Sequence, residues 1–377
     1  MNKKTKSIQS VLFLLRCSSS ERTAYTHRVL KLKEGLEEHG YKTGVYYIGD
    51  DPLASHTMIP LYIFRIAKLM RQYDLVHAGG APSAHVAVLS KILTRTKIIY
   101  DMHGDRIQEI VQEIGLGLRP KHTIFKTWIQ NMFATYGSHY YLPASKPLKQ
   151  LLIKRGISKN KITVIRNGVD LKLFSATSLV KRDYKVVTYA GKFQPYQALD
   201  HFVEAIQEIK DSNIHFRIIG FSEEDQKIKS KIQQTLQGKV ELIDSMPQQT
   251  LIQQLQDSDI LIIPRKESPV TRVALPTKFA EYIALGRPVI VANVDETAEF
   301  VRRSQCGYVY QNSGHELKKA IISLTSLSTD QLTKMGGAGR DLAEKMFSWK
   351  LIWNQYDNFL RRLGSESSQF QNKQENA

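Results

Sequence analysis

The chain has 377 residues, 42% of them apolar, with 22 Gly, 12 Pro and a formal net charge of +17. That length exceeds what one hydrophobic core usually serves, and the composition excludes a fibrous or largely disordered protein, so two ordinary domains are expected. The charge is lopsided: residues 1–180 hold 27 Lys and Arg against 12 Asp and Glu, the remainder 26 against 24, so either the first half meets something anionic or the excess serves solubility alone.

The N-terminus is basic and runs into Val11, Leu12, Phe13, Leu14 and Leu15. Five apolar residues before Arg16 are too few for an export signal or a bilayer span, so a buried parallel strand is expected. No other run approaches transmembrane length. The chain is therefore expected in the cytoplasm, with a peripheral position at the inner face of the cell membrane as the extension of the charge argument. Cys17 and Cys306 read as two buried thiols, which need no oxidising compartment.

Apolar runs at 10–15, 42–48, 75–78, 97–100, 140–143 and 162–165 predict strands, with helical spacing between them at 27–39, 59–71, 83–93 and 123–136. Short apolar strands alternating with amphipathic helices make a parallel sheet covered on both faces. The pattern restarts with strands at 186–190, 215–219, 240–243, 260–263 and 289–292 and helices at 198–209, 223–236, 251–256 and 277–285. A small polar linker at 173–183 separates a first domain (1–173) from a second (184–346). A helix at 347–363 and a disordered tail at 364–377 follow.

Three segments carry candidate chemistry. Pro276 opens a helix that Gly286 ends, and it carries Lys278 and Glu281 three residues apart. A helix start with a lysine attracts anions, and an acid one turn in accepts hydrogen bonds from sugar hydroxyls; a plain i,i+3 ion pair accounts for the spacing equally well. Gly191-Lys192 and Gly220 each follow a strand, where open α/β sheets bind ligands, although both glycines also read as ordinary turn residues. In the first half, Asp101, His103, Gly104 and Arg106 follow a strand and form the best candidate for a cleft-lining loop. No spaced set of ligands there or elsewhere predicts a metal site.

The segment 276–290 resembles the signature of the retaining, GT-B-fold glycosyltransferases of family 4. So do Ile162-Thr163-Val164-Ile165-Arg166-Asn167-Gly168-Val169-Asp170, Ala144-Ser145, the run 259–264 and Phe347-Ser348-Trp349. The resemblance extends from about Tyr140 to Leu363. It implies an α/β protein of two Rossmann-like domains facing across a central cleft, the first binding the acceptor and the second a nucleotide-sugar, of UDP or GDP. By this resemblance Glu281 contacts the ribose, Lys192 neutralises the diphosphate and His103 stands near the reacting sugar. It further implies that the anomeric configuration is kept and that neither cofactor nor metal is used. The chain has Gln197-Ala198 where the family often has Lys-Gly, and Val273 where many members have a glutamate; Glu267, on a nearby loop, is the candidate to replace it.

The expected partners are a nucleotide-sugar, a glycan or lipid-linked acceptor of surface polysaccharide synthesis, and an anionic membrane surface touched by the basic half with Phe125, Trp128 and Phe133, unless those rings fill the core. Two other classes remain: a nucleotide-sugar epimerase or hydrolase on the same architecture, and a basic nucleic-acid-binding module. The latter lacks an aromatic-and-basic motif or recognition helix.

Overall fold

The computed structural model describes residues 8–21, 23–54 and 59–375. The chain forms two compact units, one from Met1–Asn167 with Trp349–Ala377, the other from Gly168–Ser348.

In the first unit β1 (Ser10–Leu15), α1 (Ala24–Glu38), β2 (Lys42–Tyr47), α2 (Ile59–Met70), β3 (Leu75–Gly79), α3 (Gly80–Ser90), β4 (Lys97–Met102), α4 (Arg106–Gly115), α5 (Thr123–Gly137), β5 (Tyr140–Pro143) and α6 (Lys146–Lys154) follow one another. The strands pair in parallel in the order β2-β1-β3-β4-β5. Helices cover both faces of such a sheet, which is why the apolar run of β1 is buried throughout instead of alternating.

The strand expected at 162–165 does not form. Ile162 makes an isolated bridge to Tyr141, and the Thr163 and Ile165 N–H groups donate to the carbonyls of Tyr141 and Pro143. Pro143 has no N–H to return the alternate bond, so the ladder stops at β5.

The second unit contains β6 (Lys185–Ala190), α7 (Leu199–Glu208), β7 (Ile214–Phe221), α8 (Gln226–Leu236), β8 (Val240–Asp244), α9 (Gln248–Gln256), β9 (Ile260–Ile263), α10 (Pro269–Val273), α11 (Thr277–Ala284), β10 (Val289–Ala292), α12 (Glu296–Ser304), β11 (Gly307–Tyr310), α13 (Gly314–Thr325) and α14 (Thr329–Met346). Its parallel sheet runs β11-β10-β9-β6-β7-β8, with one apolar core built on Phe202, Phe216 and Ile321 and another on Phe279, Ile283 and Phe347.

The expected linker at 173–183 belongs to this unit. Phe174 enters the second of those cores. The buried Arg287 guanidinium donates to the Thr177 carbonyl (2.5 Å) and hydroxyl (2.8 Å), and Arg340 donates to the Phe174 carbonyl (2.9 Å). Backbone carbonyls that accept from charged donors are held firmly, and the division falls instead between Asn167 and Gly168.

The last helix, α15 (Trp349–Glu375), rejoins the first unit. Trp349, Ile352, Tyr356, Phe359, Leu360 and Leu363 recur at helical spacing and bury against Val11, Phe13 and Ile165. The helix continues past residue 364, where a disordered tail was expected. Residues 365–375 contain no Pro or Gly and are rich in Gln, Glu and Lys, so nothing in them ends a helix already nucleated. Among the described residues no helix is long and apolar enough to cross a membrane.

Candidate functional site

In the parallel sheet of the second unit the order in which strands are added reverses at β6, with β7 on one side of it and β9 on the other. Such switch points bind ligands at the strand carboxyl ends, and the donor-side candidates gather there. Gly191 follows β6 at φ +142° and Gly220 sits near the end of β7 at φ +121°, conformations that favour glycine. The Gly191 N–H donates to the Ile219 carbonyl at 3.0 Å. A Cβ on Gly220 would lie 2.8 Å from the Gly191 carbonyl oxygen, so the two loops touch backbone to backbone.

The start of α11 has Pro276 at its cap and no side-chain cap bond, which leaves first-turn N–H groups for an anion. The Lys278 ammonium donates to the Ala190 carbonyl (3.0 Å) and lies 4.9 Å from the centroid of the Tyr189 ring. Tyr282 donates its hydroxyl to the same carbonyl at 3.0 Å. Among the described residues the Glu281 carboxylate makes no hydrogen bond and no ion pair, so the plain i,i+3 pair does not form. Burial pushes the Lys278 ammonium down to about 8, Arg265 adding to the effect and Glu281 opposing it. Burial likewise raises the Glu281 carboxyl, with Lys278 opposing. A cation and an acid thus stand side by side, each short of a partner: a diphosphate would relieve the first, hydroxyl donors the second.

Lys192 is exposed, and its carbonyl accepts the Tyr189 hydroxyl at 2.8 Å. Glu267 is exposed too and takes two hydrogen bonds from Arg272, at 3.0 and 2.7 Å, while Val273 ends α10 half-buried. Ala198, where the family favours glycine, lies buried at φ +48° at the start of α7, a left-handed conformation costing an alanine roughly 1–2 kcal/mol. Sequence reasoning missed Arg265. It follows β9, is buried, pairs with Asp295 at 2.8 Å and donates to the Ala274 carbonyl at 2.8 Å. The Asn312 amide, oriented to donate to the Arg265 carbonyl (3.1 Å) and accept from the Glu267 N–H (2.7 Å), fixes the loop. An arginine one residue beyond the end of an apolar strand, after Pro264, was the available signal.

In the first unit, Asp101 is not on the loop as expected but within β4, fully buried. The strand runs this far because the carboxylate is neutralised. Arg28 of α1 reaches it through Nε (3.1 Å) and Nη2 (2.8 Å) and also holds the Ile165 carbonyl and the Asn167 side chain. His77 of β3 stands 3.3 Å away and contacts the Tyr356 hydroxyl at 2.7 Å. Burial would raise this carboxyl, but Arg28, then His103 and His77, hold it well below the usual carboxylate range. Asp101 is therefore a positioning residue beneath the surface. His103 comes next, with Nδ1 3.7 Å from Asp101 and its ring 4.8 Å from that of Tyr25. Its side chain is 26% exposed, and its nitrogens make no hydrogen bond among the described residues. Burial pushes it down to about 4, against the pull of Asp101, so it is neutral at pH 7 and offers one donor and one acceptor. Gly104 accommodates Glu109, whose carboxylate would meet an added Cβ. Arg106 is the first residue of α4 and pairs with Glu109 (3.0 Å) and Glu113 (3.2 Å), away from the loop role expected of it. Among the described residues no group of three His, Cys, Asp or Glu is arranged as metal ligands.

Comparison with known proteins adds independent information. The family described as Glycosyltransferase Family 4 matches residues 20–173, and that described as Glycosyl transferases group 1 matches residues 184–326. An uncharacterized glycosyltransferase of Methanocaldococcus jannaschii is 26% identical over 280 residues, 74% of this chain and 72% of that protein. A capsular polysaccharide biosynthesis glycosyltransferase of Staphylococcus aureus is 20% identical over 78% of each chain. Matches to two further curated relatives span 56% of their length. Among solved structures, an Anabaena protein in complex with UDP-glucose superposes with a TM-score of 0.70 at 17% identity, covering 93% of this chain and 99% of that one. Two Rossmann-like units, the signature at 276–290 and family matches over both halves lead to one conclusion: the chain belongs to the GT-B-fold glycosyltransferases of family 4.

Proposed function

We propose that this glycosyltransferase moves a sugar from a nucleoside diphosphate sugar to a hydroxyl of a glycan or lipid-linked acceptor, in building a bacterial surface polysaccharide. The observation that carries the reading is the half-buried Lys278 and Glu281, each without a neutralising partner, beside the glycine contact of Gly191 and Gly220. The UDP-glucose bound by the Anabaena protein supports a nucleotide-sugar donor, and the capsular relative supports a polysaccharide product.

In this reading Glu281 accepts the ribose hydroxyls. Lys278, Lys192 and the first N–H groups of α11 stabilise the charge that develops on the departing diphosphate, so no divalent ion is required at that step. Arg265 and Asp295 hold the loop in place. Neutral His103 hydrogen-bonds a sugar hydroxyl, kept in register by Asp101. The acceptor oxygen attacks from the face the phosphate leaves, and the phosphate takes its proton, which preserves the anomeric configuration.

The test is Glu281→Gln, titrated calorimetrically with UDP and with GDP. Charge-assisted hydrogen bonds are worth roughly 1.5–3 kcal/mol each, so affinity for the nucleotide bound by wild type should drop about ten-fold or more at an unchanged unfolding temperature. Unaltered affinity in a folded variant would reject the ribose role. Transfer by wild type that persists in excess chelator supports the metal-free step, and release of free sugar without acceptor would point to a hydrolase.

A further inference from the structure

The loops that leave β1 and β3 lie side by side, since Leu15 pairs with Gly79. The Tyr25 hydroxyl donates to the Gly79 carbonyl at 2.6 Å and fixes that turn. α3 then starts at Gly80, at φ +72°, with Gly79 as its cap and no side-chain cap bond. Its first-turn N–H groups are left for an anion. A helix start alone makes no site, because water serves such groups as well. Two further observations point to a ligand. Ser83 closes that first turn and is fully buried, yet its hydroxyl, next to Tyr25, makes no well-formed hydrogen bond among the described residues. Burying a hydroxyl without a partner is costly. Arg16, the residue after β1, is exposed, and its guanidinium makes neither a hydrogen bond nor an ion pair among the described residues.

The surroundings select the occupant. Burial, then the charge of Arg16, pushes the His85 imidazole down, which sets the guanidinium along α3. His103 closes the other side: a Cβ on Gly80 would lie 3.9 Å from its Nε2. The carboxylate beside His103, that of Asp101, is neutralised by Arg28, so its charge does not oppose an anion here. A guanidinium presents a planar fork that matches an oxyanion, and helix N–H groups with a serine hydroxyl add uncharged donors. A neutral sugar alone would leave that charge unmatched. The neutral His103 offers one donor and one acceptor to a hydroxyl of the same molecule. We propose that Arg16 and the start of α3 bind an oxyanion, a phosphate or a carboxylate, carried by the acceptor sugar. The anion site stands on the first unit by itself; calling its occupant the acceptor rests on the sugar-transfer reading.

The full chain, isotope-labelled at its histidine rings, reads the site by NMR, with the His103 signal identified through His103→Gln. Glucose 1-phosphate and glucuronic acid carry the two oxyanions, and glucose carries neither. One or both anionic sugars should move the His103 signal at a concentration about ten-fold or more below that needed with glucose. The tighter of the two names the oxyanion. Arg16→Gln should weaken that binding about ten-fold or more at an unchanged unfolding temperature. Arg16→Lys, which keeps the charge but loses the fork, should restore only part of it. Equal response to glucose and to both anions would overturn the proposal. So would undiminished binding in folded Arg16→Gln, or binding that leaves His103 unmoved and disappears in Lys278→Met. Failure of wild type to bind UDP, with the His103 response intact, would remove the sugar-transfer reading and leave the anion site standing.

Discussion

The buried Asp101 and the half-buried Lys278 are ionisable groups whose environments act in opposite senses. For Asp101 the neighbouring Arg28 overcomes burial, the carboxylate stays charged, and its contribution to stability is lost only as pH falls below the ordinary carboxylate range. Lys278 has no carboxylate in contact, burial wins, and its ammonium titrates near 8. Because the unfolded chain binds that proton up to the ordinary lysine range, Lys278 makes the free protein more stable as pH rises through about 8. A bound diphosphate reverses the balance by holding the proton in place. Affinity for UDP should therefore fall as pH climbs past about 8, with proton uptake on binding at about pH 9 and little at about pH 6.5. Titration in buffers of differing ionisation enthalpy measures that uptake, and Lys278→Met should abolish it. Uptake unchanged in Lys278→Met would assign the proton to another group.

Elements follow from the sequence where local pattern and tertiary surroundings agree. The apolar runs of β1, β9 and β10 were legible because strands buried on both faces have no alternation to conceal them. β11 was not: Gly307 reads as a turn residue, yet it is required because a Cβ there would lie 1.9 Å from the Val289 carbonyl oxygen. α12 carried a readable signature, with Asp295 as its cap, acids in its first turn and Arg302 and Arg303 in its last, but over only nine residues. At the site, the spacing of Lys278 and Glu281 was visible while the destination of the lysine was not, since Ala190 lies 88 residues away. Nor does any local pattern join Arg265 to Asp295. The glycines Gly191 and Gly220, indistinguishable in sequence, separate in space. Alanine at either is strained by about 1–3 kcal/mol. At Gly191 the new methyl meets the mobile end of Lys278, at Gly220 the fixed Gly191 carbonyl. Gly220→Ala should cost about 3 kcal/mol or more in urea unfolding, and more than Gly191→Ala. Equal costs would mean that the two loops yield freely.

The first unit is assembled from two pieces of chain separated by the whole of the second. α15 supplies a large share of the core around Phe13 and the hydroxyl that meets His77. Residues 168–348 should consequently unfold cooperatively as an isolated fragment. Residues 1–167 alone should bind a hydrophobic dye and lack a sharp transition until a peptide of residues 349–375 is added. A sharp transition at the wild-type midpoint without the peptide would make α15 accessory.

The same arrangement imposes an order on synthesis. The ribosome delivers the sheet of the first unit, then the complete second unit, and only afterwards the helix that covers the first. Through that interval the nascent chain carries an open apolar face, with the buried Arg28–Asp101 pair within reach of water and His77 without its tyrosine. A message truncated at codon 349 would release a chain whose later domain is finished and whose earlier one is not. The first domain to be made is the last to close.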